Sequence, residues 1–305
     1  MPPIEVIINA AGGSFVEGET EQKLKDAFAV NGLDAKINLA RTGEQIGEFA
    51  EAAAKSDAEI IVAGGGDGTI SSVAAIVSKA NKTFGVLPLG TLNNFSKDLQ
   101  IPQDITEAVR MIADGNVAEI DLAELNGRIF INNSSIGLYP HIVKDREKQQ
   151  ERLGYGKWRA AFWAALKIFR LSPFLKVGIV VDGKFFLRKT PFVFIGNNQY
   201  EMDLYNIGRR PALDQGKLSI YFLHRGGRFG VIRLLFRTVT GRVKQWKDFE
   251  EVLAEDVSIQ TRRKRIHVAF DGEVSVAKTP LRYTILPKAV RVFVPKPATE
   301  ESEDA

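Results

Sequence analysis

The stretch IIVAGGGDGTISSVAAIV, residues 60–77, joins a short apolar run to a segment with helical apolar spacing. Three glycines, Asp67, Gly68 and Thr69 lie at the junction. Backbone N–H groups at a helix start carry partial positive charge, and glycine lets an anion approach them closely. The pattern predicts a strand, a phosphate-binding turn and a helix, with a tight connection that binds nothing as the simpler alternative. Asp67 could orient the loop amides or hold Mg²⁺ through water.

A second turn of the same kind follows in GVLPLGTLNN, residues 85–94. Ligands of open α/β sheets bind beyond the carboxyl ends of the strands, so the two turns could hold one polyphosphate. Neither turn is followed by the GKS or GKT of a Walker loop.

The pattern of predicted secondary structure changes near Ala118. Before it, strand and helix patterns alternate, which favours a mainly parallel sheet covered on both faces. After it the patterns are β-rich, and Asn126-Gly127 between two strand-like runs indicates a hairpin. Two helical segments, 156–171 and 228–239, interrupt this second part.

Composition restricts the chemistry. The 305 residues are 45% hydrophobic and include no cysteine, which excludes disulfides and thiolate catalysis. The three histidines, His141, His224 and His267, lack metal-ligand spacing, and no Ser-His-Asp constellation is identifiable. The start does not resemble a secretory signal, and no apolar run approaches the roughly 20 residues of a membrane span. We expect a cytoplasmic protein, soluble or peripherally bound to a membrane.

Charge divides the chain unevenly. Residues 1–125 hold 9 Lys/Arg and 19 Asp/Glu, a net charge of −10, and the remainder holds 32 and 18, a net charge of +14. Such asymmetry favours an anionic partner for the second part, although a solvated basic surface is the simpler interpretation. No nucleic-acid-binding module is recognisable, so we expect a membrane surface and no nucleic acid.

Five ordered motifs resemble the diacylglycerol-kinase-type lipid kinases, which belong with the sphingosine, ceramide and NAD kinases. They are GGGDGTISSV at 64–73, PLGTLNNFSKDL at 88–99, VAEIDLAELNGRIFINNSSIG at 117–137, LDQGKLSIY at 213–221 and FDGE at 270–273. The resemblance implies an α/β plus β fold: a three-layer α/β nucleotide-binding domain and a C-terminal antiparallel β-sandwich. The predicted boundaries are 1–120 with about 288–297 for the first domain and 121–287 for the second. The acidic composition of residues 298–305 predicts a disordered tail.

The resemblance also implies roles for particular residues. Three residues would be catalytic: Glu273 as the general base, Asp121 as an acidic cleft residue needed for activity, and Asp67 as the acid of the nucleotide loop. The nucleotide-binding set would be Asn9, Gly65, Gly66, Asp67, Gly68, Thr69, Gly90, Thr91 and Asn93. Asp214 matches a position near a structural Mg²⁺ site, and Asp67 would meet Mg²⁺ through water.

The chain departs from the family pattern in three places. Asn9-Ala10-Ala11-Gly12-Gly13-Ser14 replaces Asn-Pro-x-Ser-Gly, and Asn94 stands where many members carry an aspartate. Gln215 replaces the second acid beside Asp214. The last two changes remove carboxylates that would serve metal binding.

The segment GKWRAAFWAALKIFRL, residues 156–171, is a candidate membrane-docking helix. Its apolar stripe and basic flanks are typical of interfacial helices, although a core-packed helix is an equal alternative. The residues assigned to the membrane are Trp158, Phe162, Trp163, Lys167 and Arg170. A second segment carries Arg233 and Arg237 along one flank.

These features predict an ATP- and Mg²⁺-dependent lipid kinase of phospholipid metabolism that phosphorylates a membrane alcohol, with diacylglycerol as the first choice. A ceramide, sphingoid-base or other glycerolipid kinase is the nearest alternative. NAD kinase and an inactive lipid-binding pseudokinase are the others. The oligomeric state stays open, with a homodimer among the states considered.

Overall fold

The computed structural model describes residues 3–12, 15–137, 174–201, 208–223 and 249–296. The chain forms two compact units, Met1–Ile120 with Ala289–Ala305, and Asp121–Lys288. We call these the first and the second unit. The predicted docking residues Trp158, Phe162, Trp163, Lys167 and Arg170, the segment with Arg233 and Arg237, and the acidic tail lie outside the described residues.

The first unit alternates strands and helices, as its sequence predicts. Its elements are β1 (Ile4–Asn9), α1 (Glu19–Val30), β2 (Ala35–Ala40), α2 (Gly43–Lys55), β3 (Ile60–Gly65), α3 (Asp67–Ala80), β4 (Thr83–Pro88), α4 (Asn94–Asp98) and α5 (Ile105–Asp114).

The strands β2, β1, β3 and β4 form a parallel sheet in that order. The order reverses direction after β2, and right-handed crossovers then place α1 on one face and α2 and α3 on the other. Helix α5 packs against α1, and α2 packs against α3. Side chains of β1, β3 and β4 are buried along nearly their whole length, because both faces of the sheet are covered.

The side chain of the N-cap residue itself caps two of these helices. The Thr42 hydroxyl accepts from the Gln45 amide at the start of α2, and the Asp104 carboxylate accepts from two amides at the start of α5. Lys23 bonds to Asp104, and this contact together with the amides holds the pKa of the carboxyl below its ordinary value. Such caps satisfy helix amides that have no partner within the helix.

The second unit consists of β-strands in the part that the structure describes. They are β5 (Val117–Leu125), β6 (Arg128–Phe130), β7 (Asn133–Gly137), β8 (Leu175–Val181), β9 (Lys184–Thr190), β10 (Phe192–Asn197), β11 (Leu218–Leu223), β12 (Phe249–Ala254), β13 (Asp256–Thr261), β14 (Arg265–Phe270), β15 (Glu273–Lys278) and β16 (Leu281–Phe293). Strand β5 begins, and β16 ends, in the first unit, where Arg291 and Val292 pair in parallel with β4.

Two antiparallel sheets build this unit. One has the order β12-β11-β10-β7-β14-β15, and the other joins β6, β5, β16, β13, β8 and β9. Their inner faces share one apolar core, in which Ile136, Phe130 and Tyr283 are buried. The predicted α/β plus β-sandwich fold is confirmed.

Two-residue turns set the register of three hairpins. Asn126-Gly127, Asp182-Gly183 and Asp271-Gly272 all have positive φ at both positions, the geometry of a type I′ turn. The sequence patterns predict the first of these hairpins and the β8–β9 run, but they do not indicate β12 and β13. None of the helices in the described ranges is long and apolar enough to cross a bilayer.

Candidate active site

Two glycine turns of the first unit touch each other. β3 and β4 are adjacent parallel strands, and their carboxyl ends lead into Gly66 and Gly90. A Cβ atom on Gly90 would lie 2.3 Å from the Cα of Gly66, so a side chain at position 90 would push the loops apart. The structure thus brings together the two turns that the sequence suggests could converge.

The carboxylate of Asp67 joins the two turns. Oδ2 accepts a hydrogen bond from the Asn94 amide at 3.1 Å, and Oδ1 accepts from the Phe95 amide at 3.0 Å. Asp67 therefore caps α4 from the neighbouring loop. The carboxylate thus orients backbone amides of the second turn, whereas contact with Mg²⁺ through water stays a prediction.

Asn93 braces the second turn from within. It adopts the left-handed conformation, with φ of 53°. Its Oδ1 accepts from the Gly90 amide at 2.9 Å, and its Nδ2 donates to the Pro88 carbonyl at 3.2 Å. The side chain fixes the backbone of the loop, while Thr91 at the tip is exposed.

A third strand end joins this group. β1 is the other neighbour of β3, and its last residue, Asn9, donates from Nδ2 to the Thr69 hydroxyl at 3.0 Å. Thr69 is buried and packs over Gly65, where a Cβ would lie 2.7 Å from the threonine side chain. Gly65 is therefore required for packing, a reason that is independent of any ligand.

The start of α3 has the features of an anion site. Its N-cap is Gly66, and no side chain caps it, in contrast to α2 and α5. Gly68 lies in the first turn of this helix. Amides at an uncapped helix start attract phosphate, so this end of the sheet fits the polyphosphate of a nucleotide.

Carboxylates for a metal are few on these loops. Each oxygen of Asp67 has one amide partner, which leaves an acceptor site for a metal-bound water. No group of three or more His, Cys, Asp or Glu residues comes together within the described residues. Asp214 is exposed, and its neighbour Gln215 accepts from the Gln199 amide instead of extending a carboxylate pair. A metal at Asp214 stays a prediction.

Asp121 of the second unit is almost completely buried, with 1% of its surface exposed. Its Oδ2 accepts from the Gly216 amide at 2.6 Å and its Oδ1 from the Lys288 amide at 2.9 Å. The carboxylate thus holds the loop before β11 and the bend within β16. The carboxylate is thus buried and hydrogen-bonded through both oxygens, and its catalytic role stays a prediction.

Glu273 has the opposite environment. It is the first residue of β15, directly after the Asp271-Gly272 turn, and 68% of its side chain is exposed. Arg128 lies 3.4 Å from its Oε2 and stacks on the ring of Phe270 at 4.5 Å. The Glu273 carboxylate is therefore exposed beside one cation, and its role as a general base stays a prediction.

Sequence reasoning missed a buried polar network in the second unit. The Asp271 carboxylate accepts from the amides of Ile131, Asn132 and Asn133. Arg210, which is 1% exposed, donates to the Ile131 carbonyl at 2.7 Å and to Asn132 Oδ1 at 2.6 Å. The burial of Arg210 next to the predicted motifs would have indicated this network, but burial cannot be read from the sequence.

The same network reaches Asp121. Asn197 donates from Nδ2 to the carbonyls of both Asp121 and Ile131, each at 2.9 Å. On β11, the Tyr221 hydroxyl donates to Glu251 at 2.6 Å. Burial, and to a smaller extent this hydrogen bond, raises the pKa of the tyrosine above its ordinary value. Asp121 and the turn that carries Glu273 are thus held by connected hydrogen bonds.

Comparison with known families identifies both parts of the chain. Residues 3–125 match the diacylglycerol kinase catalytic domain. Residues 141–294, just over half of the chain, match the YegS C-terminal NAD kinase beta sandwich-like domain. This pair of domains defines a kinase. The chain belongs to the diacylglycerol kinase family.

Individual diacylglycerol kinases are similar to this chain over most of its length, at modest sequence identity. A diacylglycerol kinase of Staphylococcus aureus is 26% identical over 297 residues, 91% of each chain, and one of Staphylococcus epidermidis is 25% identical over 285 residues, 88% of each. A solved diacylglycerol kinase structure from Bacillus anthracis str. Sterne shares the fold with a TM-score of 0.74 and 24% identity, covering 97% of this chain and 98% of that one.

Proposed function

We propose that this protein transfers the γ-phosphoryl group of ATP to the hydroxyl of diacylglycerol in a membrane. The observation that carries the proposal is the pair of touching glycine turns that Asp67 locks beside the uncapped start of α3. The family assignment and the names of the relatives support the same acceptor.

The glycine turns would bind the phosphates of ATP. Phosphoryl transfer depends on alignment and charge neutralisation more than on covalent chemistry, so a rigid loop pair is the main requirement. Asn9, Thr69 and Asn93 serve it by holding three strand ends through side-chain bonds. Gly66 and Gly68 would present backbone amides to the phosphates.

Mg²⁺, when bound with ATP, would supply charge neutralisation between the phosphates. Asp67 is the residue of these loops suited to hold it, through water. Asn94 cannot add a second negative charge there, and its exposed side chain marks the position where a carboxylate would change metal affinity.

Glu273 would accept the proton of the acceptor hydroxyl, since a lipid alcohol is a weak acid and a positioned carboxylate assists its attack. Asp121 would act differently from a catalytic group. It would keep the Gly216 and Lys288 backbones in place, because both of its oxygens are bound to their amides. The product would be a phosphomonoester lipid, made by a cytoplasmic enzyme bound peripherally to the membrane.

The test measures transfer from γ-labelled ATP into mixed micelles. Separate micelles contain diacylglycerol, ceramide or sphingosine, and a detergent-free reaction contains NAD. We expect label in diacylglycerol, and none with the Asp67→Ala variant. Label mainly in ceramide, sphingosine or NAD would reassign the acceptor. Nucleotide and lipid binding without transfer to any acceptor would identify a pseudokinase.

A further inference from the structure

Seven exposed cations gather at one end of the second unit, and we call them the basic end. They are Lys176, Lys189, Arg262, Arg263, Lys264, Arg265 and Lys278. Four of them are consecutive in the sequence RRKR: residues 262–264 form the β13–β14 connection, and Arg265 begins β14.

Strand pairing brings these residues together. Lys176 lies directly opposite Lys189, and Arg265 lies directly opposite Lys278. Val177 pairs with Thr261, so Arg262 follows next to Lys176. The Thr279 hydroxyl donates to the Arg263 carbonyl at 2.8 Å, which ties the connection to the end of β15.

The basic end carries an electrostatic cost. Like charges directly opposite on neighbouring strands destabilise a sheet, and it contains two such pairs. No Asp or Glu occurs between Val257 and Phe270. None of the seven cations forms an ion pair with another residue that the structure describes. An anionic partner would relieve this repulsion.

An apolar pair adjoins the same end. Phe185 and Leu187 are 63% and 67% exposed and share the outer face of β9 with Lys189. The ring of Phe185 lies over Gly178, where a Cβ would approach it to 2.8 Å. The cations alone would suffice to bind the phosphates of a nucleic acid. A lipid surface also accommodates exposed aromatic and aliphatic side chains, so it accounts for both features.

We propose that the basic end, with Phe185 and Leu187, docks the enzyme on an anionic lipid bilayer. The proposal deepens the proposed function, on which it rests, by naming the surface that would bring the kinase to its substrate. Clusters of this size attract the anionic cytoplasmic leaflet, with each cation near the surface adding to the affinity.

The docking surface is an anchor and not the acceptor site. Arg265 and Phe270, which pairs with Glu273, are five residues apart on β14, or about 17 Å along the strand. Removing the cations should therefore weaken membrane binding and leave transfer to a dissolved acceptor unchanged.

The test compares co-sedimentation of the full chain with vesicles of phosphatidylcholine alone and of phosphatidylcholine mixed equally with phosphatidylglycerol. We expect binding to the mixed vesicles only, and a loss of roughly 10²–10³-fold at low salt when residues 262–265 are all changed to Gln. The matched control changes four exposed cations of the first unit, Lys25, Lys55, Lys79 and Arg110, to Gln. It removes equal charge and should keep most of the binding.

The apolar pair is tested by Phe185→Ser with Leu187→Ser, against Val30→Ser, another exposed apolar residue. The double variant should bind mixed vesicles about tenfold or more weakly than Val30→Ser does.

Transfer to a short-chain diacylglycerol in detergent separates the two proposals. If wild type binds vesicles but phosphorylates nothing, the function fails and the docking surface stands. Wild-type pelleting of the 262–265 variant overturns the docking proposal. So does binding of wild type to duplex RNA but not to vesicles, or a dimer that dissociates only in the 262–265 variant.

Discussion

Asp67 and Asp121 form hydrogen bonds of the same kind in different surroundings. Each carboxylate accepts from two backbone amides, one per oxygen; Asp67 bonds to consecutive residues at the start of α4, and Asp121 to two separate segments. Asp67 is partly exposed next to an uncapped helix start, whereas Asp121 is buried in a polar network. The two carboxylates therefore bind backbone amides in the same way and differ in their accessibility to a ligand.

Glu273 completes this comparison, because it is mostly exposed and contacts one cation. If accessibility decides the role, removal of Asp67 or Glu273 should cost activity more than stability, and removal of Asp121 should do the reverse.

Asp67→Ala gives the largest expected effect. Loss of loop alignment and of charge stabilisation together should lower turnover by roughly 10⁴-fold or more. The free energy of unfolding should fall by only about 1–2 kcal/mol, the usual cost of a lost helix cap. Labelled-ATP assays and urea denaturation measure the two quantities. Wild-type turnover would remove Asp67 from the mechanism.

Glu273→Gln should reduce turnover by roughly 10²–10⁴, the usual contribution of a general base, with nucleotide affinity nearly unchanged. The control is Arg128→Gln, which removes the neighbouring cation and leaves the carboxylate in place, and it should have a much smaller effect. Retained activity of Glu273→Gln would mean that the residue belongs only to the hairpin.

Asp121→Ala should mainly destabilise. The amides of Gly216 and Lys288 would lose their buried acceptor, which costs about 2–5 kcal/mol of the free energy of unfolding. Thermal and urea unfolding provide the measurement, and nucleotide binding provides the control. An Asp121 variant of unchanged stability but without activity would place this carboxylate among the catalytic groups.

Asn94→Asp should have the smallest effect. A second carboxylate on the loop would strengthen Mg²⁺ binding and lower the Mg²⁺ concentration for half-maximal activity by about twofold to fivefold, the size of one exposed charge interaction. Titration of activity with Mg²⁺ measures the change. A higher requirement would show that repulsion from Asp67 outweighs the attraction for the metal.

Some features of the fold could be predicted from the sequence and others could not. The alternation of helices and strands, the Asn126-Gly127 hairpin and the two glycine turns could be predicted because each depends on local periodicity or turn chemistry. Strands β12 and β13 are not among the predicted strands. FEEVLA lacks apolar alternation, and DVSIQT alternates only through Val257 and Ile259, so both segments become strands by pairing with β11, β8 and β16.

By itself, the sequence determined the fold class, the family and the identity of the carboxylates to examine. These features depend on residue type and order, which are read directly from the chain. Only the tertiary structure decided what each carboxylate holds and how far it is exposed. Asp67 bonds to Asn94, 27 positions away, and Asp121 to Lys288, 167 positions away, and such contacts form only when distant strand ends meet. The basic end has the same origin, because strand pairing places Lys176, Lys189 and Lys278 around residues 262–265.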